Sequence, residues 1–135
     1  RFNEHALSVH MARIGLKYTS EDKGDAKHDM RALSEISYLQ RGYRYEKTFD
    51  RYVAPLNIQT VKEMNYWYHD SSSVYNNISQ VVQTSLREMS LHGREVYDQL
   101  SPILLKKYAE TGLNGVTITS YLRNLLSTKD LVEYY

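Results

Sequence analysis

The 135-residue chain carries 17 lysines and arginines against 16 aspartates and glutamates, a formal charge of +1, so no whole-molecule field draws it to nucleic acid or anionic lipid. It has no cysteine, which excludes a disulfide framework, a thiol nucleophile and a thiolate metal site, and fits an intracellular or organellar compartment better than secretion. No apolar run approaches the ~18 residues that a membrane span needs, and the length suits one domain able to bury about two-thirds of its unfolded surface.

In chain order, apolar residues at Phe2, Ala6, Val9, Met11, Ile14 and Leu16 predict a helix over 2–17. A polar loop follows to Gly24, and Asp25 stands where it can cap a second helix whose face holds Met30, Leu33 and Ile36, extending toward Gly42. At Gly42 the stripe changes phase, and Tyr45, Phe49, Tyr52 and Val53 predict a further helical face that ends at Ala54-Pro55. Ile58, Val61, Met64 and Tyr68 mark another helix, and the polar run 69–73 supplies caps for the longest signal of all.

That signal covers residues 74–108. Val74, Ile78, Val81, Val82 and Met89 form one stripe, and Val96, Leu100, Ile103, Leu104 and Tyr108 a second, with the phase reset near His92-Gly93. A bend or short break is expected there; Pro102 either kinks this helix or starts a new one after a helix that ends near Gln99. Gly112 suits a left-handed C-cap, Ile118, Tyr121, Leu122 and Leu125 mark a short helix, and Ser127 with Asp130 resembles a capping box opening a last turn. The only β-like stretch, 116–119, is too short to build a sheet.

The expected fold is therefore all-α: a single compact bundle of about five or six helices over 1–135, with a kinked or broken central helix. The chain opens at Arg1 and closes on Leu131-Val132-Glu133-Tyr134-Tyr135, apolar and aromatic where free ends are usually polar. It reads as a fragment or processed chain of a larger protein or assembly.

Two stretches carry candidate contacts. In 41–52, at about 100° per residue, a helix gathers Arg44, Lys47 and Arg51 on one face beside Tyr45, Phe49 and Tyr52, a pattern that suits phosphate contacts with base stacking. A solvated face neutralised by neighbours explains the same pattern, and the near-zero net charge favours it. In 64–68, Tyr66, Trp67 and Tyr68 are consecutive and cannot all face one core. Trp67 follows Ile58, Val61 and Met64 at a gap of three and reads first as the bundle's anchor, with a partner hot spot as the alternative role; Tyr66 falls off that line and reads as a partner contact.

The remaining motifs lead to no chemistry. Gly112-Leu113-Asn114-Gly115 followed by Val116-Thr117-Ile118 matches the G-x-x-G-x-x-I pattern of a KH nucleotide clamp at that point alone. The clamp's usual basic residue is replaced by Leu113 and Asn114, and its sheet is missing, so a glycine C-cap and a helix connection account for the segment. Among His5, His10, His28, His69 and His92 no metal signature forms: His5 and His10 are five apart, and although Glu88 with His92 and Asp25 with His28 are spaced acid–histidine pairs, a di-iron bundle needs two Glu-x-x-His motifs and further glutamates; no phosphate-cradling, nucleophile-elbow or dinucleotide motif occurs.

With no cofactor or catalytic residue indicated, the chain reads as a non-catalytic helical protein–protein interaction module or structural subunit of a larger assembly. Its thirteen tyrosines against two phenylalanines and one tryptophan fit that reading, since tyrosine favours half-buried and interfacial sites. Tyr66, Trp67, Tyr134 and Tyr135 are the expected partner contacts. The alternative is a nucleic-acid-binding domain that uses Arg44, Lys47 and Arg51.

Overall fold

A computed structural model describes residues 3–20, 23–24, 30–67 and 73–133, the last four by backbone alone. Asp25, His28, Tyr68, the 69–72 caps and the expected contacts Tyr134 and Tyr135 lie outside the described residues. Contacts divide the chain into two compact units, residues 1–43 and 44–135.

The first unit holds helix α1, Glu4–Arg13. Asn3 caps it by accepting a 2.8 Å hydrogen bond from the Ala6 N–H. The expected helix to residue 17 stops four residues early because Gly15 adopts φ +77°; the Gly15 and Leu16 amides then bond the Ala12 and Met11 carbonyls, closing the helix in a Schellman motif. Beyond residue 29 the expected helix through Met30, Leu33 and Ile36 is reduced to one 3₁₀ turn, Leu33–Glu35. The chain then reverses tightly between Tyr38 and Arg41, which exchange both backbone hydrogen bonds at 2.8 and 2.9 Å. Leu39 and Gln40 at the tip have φ +51° and +65°, the left-handed pair that such a reversal needs and that side-chain-bearing residues seldom adopt.

The second unit opens on an antiparallel hairpin, and the fold is therefore mostly helical rather than all-α. Strands β1, Arg44–Glu46, and β2, Arg51–Val53, pair Arg44 with Val53, Tyr45 with Tyr52 and Glu46 with Arg51. This overturns the helix expected over 43–53. Tyrosine and valine pair well across strands, and the buried Glu46 fixes the turn by accepting from the Thr48 amide and hydroxyl at 3.0 and 2.9 Å, bonds that a helix would not allow.

Helix α2, Ile58–Glu63, is capped by Asn57, which accepts from the Gln59 N–H at 2.9 Å. It tightens into a 3₁₀ turn at Met64–Tyr66, after which Trp67 is extended. Helix α3, Val74–Leu91, and helix α4, Arg94–Glu110, divide the long central signal. Gly93 makes the break where the phase reset placed it. Its φ of +102° belongs to a region that only glycine enters cheaply, and the Arg44 guanidinium stands 2.9 Å from where a Cβ would be. Pro102 lies inside α4, so neither a helix ending near Gln99 nor a new start at Pro102 occurs.

After Gly112, at φ +74°, an extended connection leads to helix α5, Tyr121–Glu133. The helix runs through Ser127, whose hydroxyl donates to the Asn124 carbonyl, so Ser127 and Asp130 start no separate turn.

Helix α3 is the element on which the second unit is assembled, packing against α2, α4 and α5. Val61, Leu86, Met89 and Tyr97 form the buried cluster, with Leu56, Leu100, Leu104 and Tyr121 packed around it. The buried face of α3 also carries Ser79, Ser85 and Ser90. Small hydroxyls let neighbouring backbone come close: Ser79 lies against Gly115 so tightly that a Cβ at position 115 would overlap it.

Candidate interaction surfaces

The charged residues of the hairpin part company once it folds as β-structure. Arg44 turns inward, donating to Glu46 at 2.7 Å and to the Leu91 carbonyl at the end of α3 at 3.2 Å. Lys47 and Arg51 are exposed, and the Arg51 guanidinium stacks 5.5 Å from the Phe49 ring centre. On the opposite face Tyr45 and Tyr52 meet edge to face at 5.5 Å, both about half exposed, and the Tyr45 hydroxyl bonds Asp50. The single basic face expected from helical spacing is therefore not formed: two cations remain outside and the third clamps the hairpin to α3.

Burial pushes the Glu46 carboxyl up, but the Thr48 N–H, the Arg44 guanidinium and the Thr48 hydroxyl outweigh it and leave the pKa below its ordinary value. A carboxyl lowered in the folded state stabilises fully above its unfolded value of about 4.3 and loses that contribution as pH falls through the folded value. Acid titration of stability is expected to show this loss below about pH 4.3, and Glu46→Gln should flatten it; an unchanged profile in the variant would remove Glu46 as its source.

Trp67 is not the anchor its spacing suggests. Helix α2 has ended by Glu63 and the chain is extended at Trp67, so the gap of three no longer returns it to the buried face. Trp67 and Tyr66 are 75% and 74% exposed, and Val61 with Met64 fills the position expected of the tryptophan. Trp67→Ala is expected to change stability by no more than about 0.5 kcal/mol. A loss near the 3–5 kcal/mol of a buried aromatic would contradict the exposed placement.

Beside Tyr66 opens an apolar groove of about 440 Å³ between α3 and α4, floored by Ile78, Val82, Met89, Leu100 and Leu104. Lys62 and Lys107 also line it, and among the described residues no carboxylate does. In the first unit the described part of α1 buries no residue, while Ile14, Leu16, Met30 and Leu39 are 57–76% exposed. Among the described residues no group of three or more histidines, aspartates or glutamates gathers in a way that could hold a metal ion, and no described helix is long and apolar enough to cross a membrane.

Sequence spacing missed a buried polar hub. Asn124 is fully buried and donates to the Tyr97 hydroxyl at 3.0 Å and to the Ile118 and Ser120 carbonyls at 3.0 and 3.1 Å, while accepting from the Gln83 amide at 3.0 Å. Tyr97 in turn donates to the Thr119 carbonyl at 2.5 Å, and burial raises its phenol pKa. Gln83 completes the lock, donating to the Ile118 carbonyl and accepting from the Ile118 N–H. The hub holds the extended 116–119 segment against α3 and α4. Glu88 and His92, singled out as a spaced acid–histidine pair, instead bond the Leu56 backbone, at 3.2 Å to its N–H and 2.6 Å to its carbonyl.

No family model matches the chain. It is similar to stretches of viral polyproteins: 33% identical over 104 residues to the replicase polyprotein of Drosophila C virus, covering 77% of this chain and 6% of that protein. The replicase polyprotein of acute bee paralysis virus is 26% identical over an alignment spanning 99% of this chain and 7% of the polyprotein. The genome polyprotein of rice tungro spherical virus, strain Vt6, is 26% identical over 73% of this chain and 3% of its own length. The chain thus spans less than a tenth of each of these relatives.

Proposed function

We propose that this chain is a non-catalytic helical module of a viral replicase, working as one piece over 1–135 by packing against other parts of the same polyprotein's machinery. The observation that carries this is the amount of large apolar surface the chain leaves uncovered. Ile14, Leu16, Met30 and Leu39 in the first unit, and Tyr66 and Trp67 in the second, are all more than half exposed. A freestanding protein scatters single exposed apolar residues without consequence, but Tyr66, next in the chain to the exposed Trp67, lines an apolar groove, the arrangement of an interface core. The similarity to segments making up a small fraction of long replicase polyproteins supplies the setting. The test is co-expression of the tagged chain with the remaining products of the polyprotein that encodes it. Specific capture of one of those products, abolished by a Tyr66→Asp/Trp67→Asp pair that leaves the melt unchanged, supports the module; no capture of any of them sinks it.

A second reading has its own observation. Lys47 and Arg51 are exposed on a hairpin whose other face shows Tyr45 and Tyr52, and replicases work on nucleic acid. Contact with an RNA strand through this hairpin would weaken as salt rises, each phosphate contact adding about 0.7 to the logarithmic slope. Lys47→Ala and Arg51→Ala should each lower that slope. Arg44→Ala should lower stability instead, since Arg44 is spent on Glu46 and Leu91.

A further inference from the structure

The apolar groove beside Tyr66 takes its lining from three helices. Lys62 comes from α2, Ile78 from α3, and Ile103, Leu104 and Lys107 from α4. Both lysines are exposed, and among the described residues neither makes an ion pair. Glu63 and Glu110, the carboxylates nearest to them in the chain, do not line the groove. An apolar surface is thus flanked by two ammonium groups from different helices, with no described carboxylate in the lining to balance them.

The groove is also open. Ile103 is 57% exposed and Tyr66 74%, whereas a small-molecule site encloses about 70–90% of its ligand. Whatever lies here keeps its outer side in water. A lipid chain, apolar all round, would leave part of that surface wet, but an amphipathic helix buries one stripe and solvates the opposite face. An RNA strand is tracked by a series of cations and stacks on flat aromatic faces, and this groove offers two lysines around mainly aliphatic side chains.

We propose that the groove receives an amphipathic helix of a partner polypeptide, its apolar stripe seated on Ile78, Ile103 and Leu104 and its edges carrying aspartate or glutamate opposite Lys62 and Lys107. The inference rests on the reading of the chain as a packing module and gives the chemistry of one partner segment. Apolar burial holds the helix, and the lysines choose among apolar helices: acidic edges bring opposite charges together, whereas basic edges set like charges side by side. The lysine stems cover apolar surface at the rim while their heads stay in water.

The test is selection on the purified chain from a displayed library of helices of about 18 residues. Leucine, isoleucine, methionine or phenylalanine is fixed along one stripe, and aspartate, glutamate, lysine, arginine, alanine and glutamine are drawn equally beside it. The expected result is enrichment of aspartate and glutamate at the stripe's edges. The strongest binder, made as a peptide, should weaken by about fivefold or more when those acids become lysines, and Lys62→Glu/Lys107→Glu should reverse the order of the acidic and basic peptides. Ile103→Asp, at an exposed site, should abolish binding without lowering the melting temperature. A library that yields no binder, edges without acid enrichment, or a preference that the charge reversal leaves unaltered overturns the proposal. So does displacement of the acidic peptide by oleate or oligouridylate at lower concentration than by unlabelled peptide, which would make the groove a lipid or RNA site. Self-association of the chain that Ile103→Asp removes would instead assign the groove to a second copy. The selection needs no other product of the polyprotein, so its failure leaves the packing module to its capture experiment, and failed capture leaves the groove's preference for acidic helices to the selection.

Discussion

Replacing Leu86 by alanine is expected to cost about 2–5 kcal/mol. Leu86 is fully buried at the centre of the cluster formed with Val61, Met89 and Tyr97, on the helix against which α2, α4 and α5 pack. Shortening it removes the leucine's own transfer energy and leaves a cavity that three surrounding helices must close together. Since domains of this kind are stable by only about 5–15 kcal/mol, the variant should lose much of its denaturant midpoint. A change below about 1 kcal/mol, well under the usual range for such a truncation, would mean that the cluster is not the core.

Asn124→Ala is the second large effect, expected at about 3 kcal/mol. With no solvent access, the two N–H groups of the Asn124 amide are shared among the Tyr97 hydroxyl and the Ile118 and Ser120 carbonyls, and its oxygen accepts from Gln83. Its removal strips one partner each from Gln83 and Tyr97, and water cannot replace them without opening the hub. Asn124→Leu fills the space without restoring the bonds and should also be destabilised, which separates lost hydrogen bonding from lost volume. Full recovery in the leucine variant would show that Asn124 acts only as filler.

The two cases also mark what the sequence made legible. Periodicity located α1, α2 and the two long helices, and it placed the break at Gly93 because a phase reset coincided with a glycine. It passed over Leu86, which lies between Val82 and Met89 on the buried face of α3, because the stripe was traced through Val81 as well. The hairpin was misread because Arg44, Lys47 and Arg51 fall at helical gaps by chance, while the bonds that decide the turn, from Thr48 to Glu46, leave no periodic trace. Trp67 kept helical spacing beyond the end of its helix. Asn124, Gln83 and Arg87 are polar residues whose burial depends on which segment comes back over α3, information that is tertiary and carried by no local spacing. The expected contacts at Tyr66 and Trp67 are exposed, whereas the basic residues divide between Arg44, bonded to Glu46 and the Leu91 carbonyl, and Lys47 with Arg51, which are exposed.

The claim that the uncovered apolar surface is an interface is tested most directly by hydroxyl-radical footprinting of Met30, Tyr66 and Trp67, comparing the chain alone with the chain in the assembled replicase. Slowing of their oxidation several-fold in the proposed assembly with other products of the polyprotein is the predicted result, with Trp67 protected together with Tyr66. Equal rates in the two states would contradict it, leaving these side chains as ordinary exposed surface.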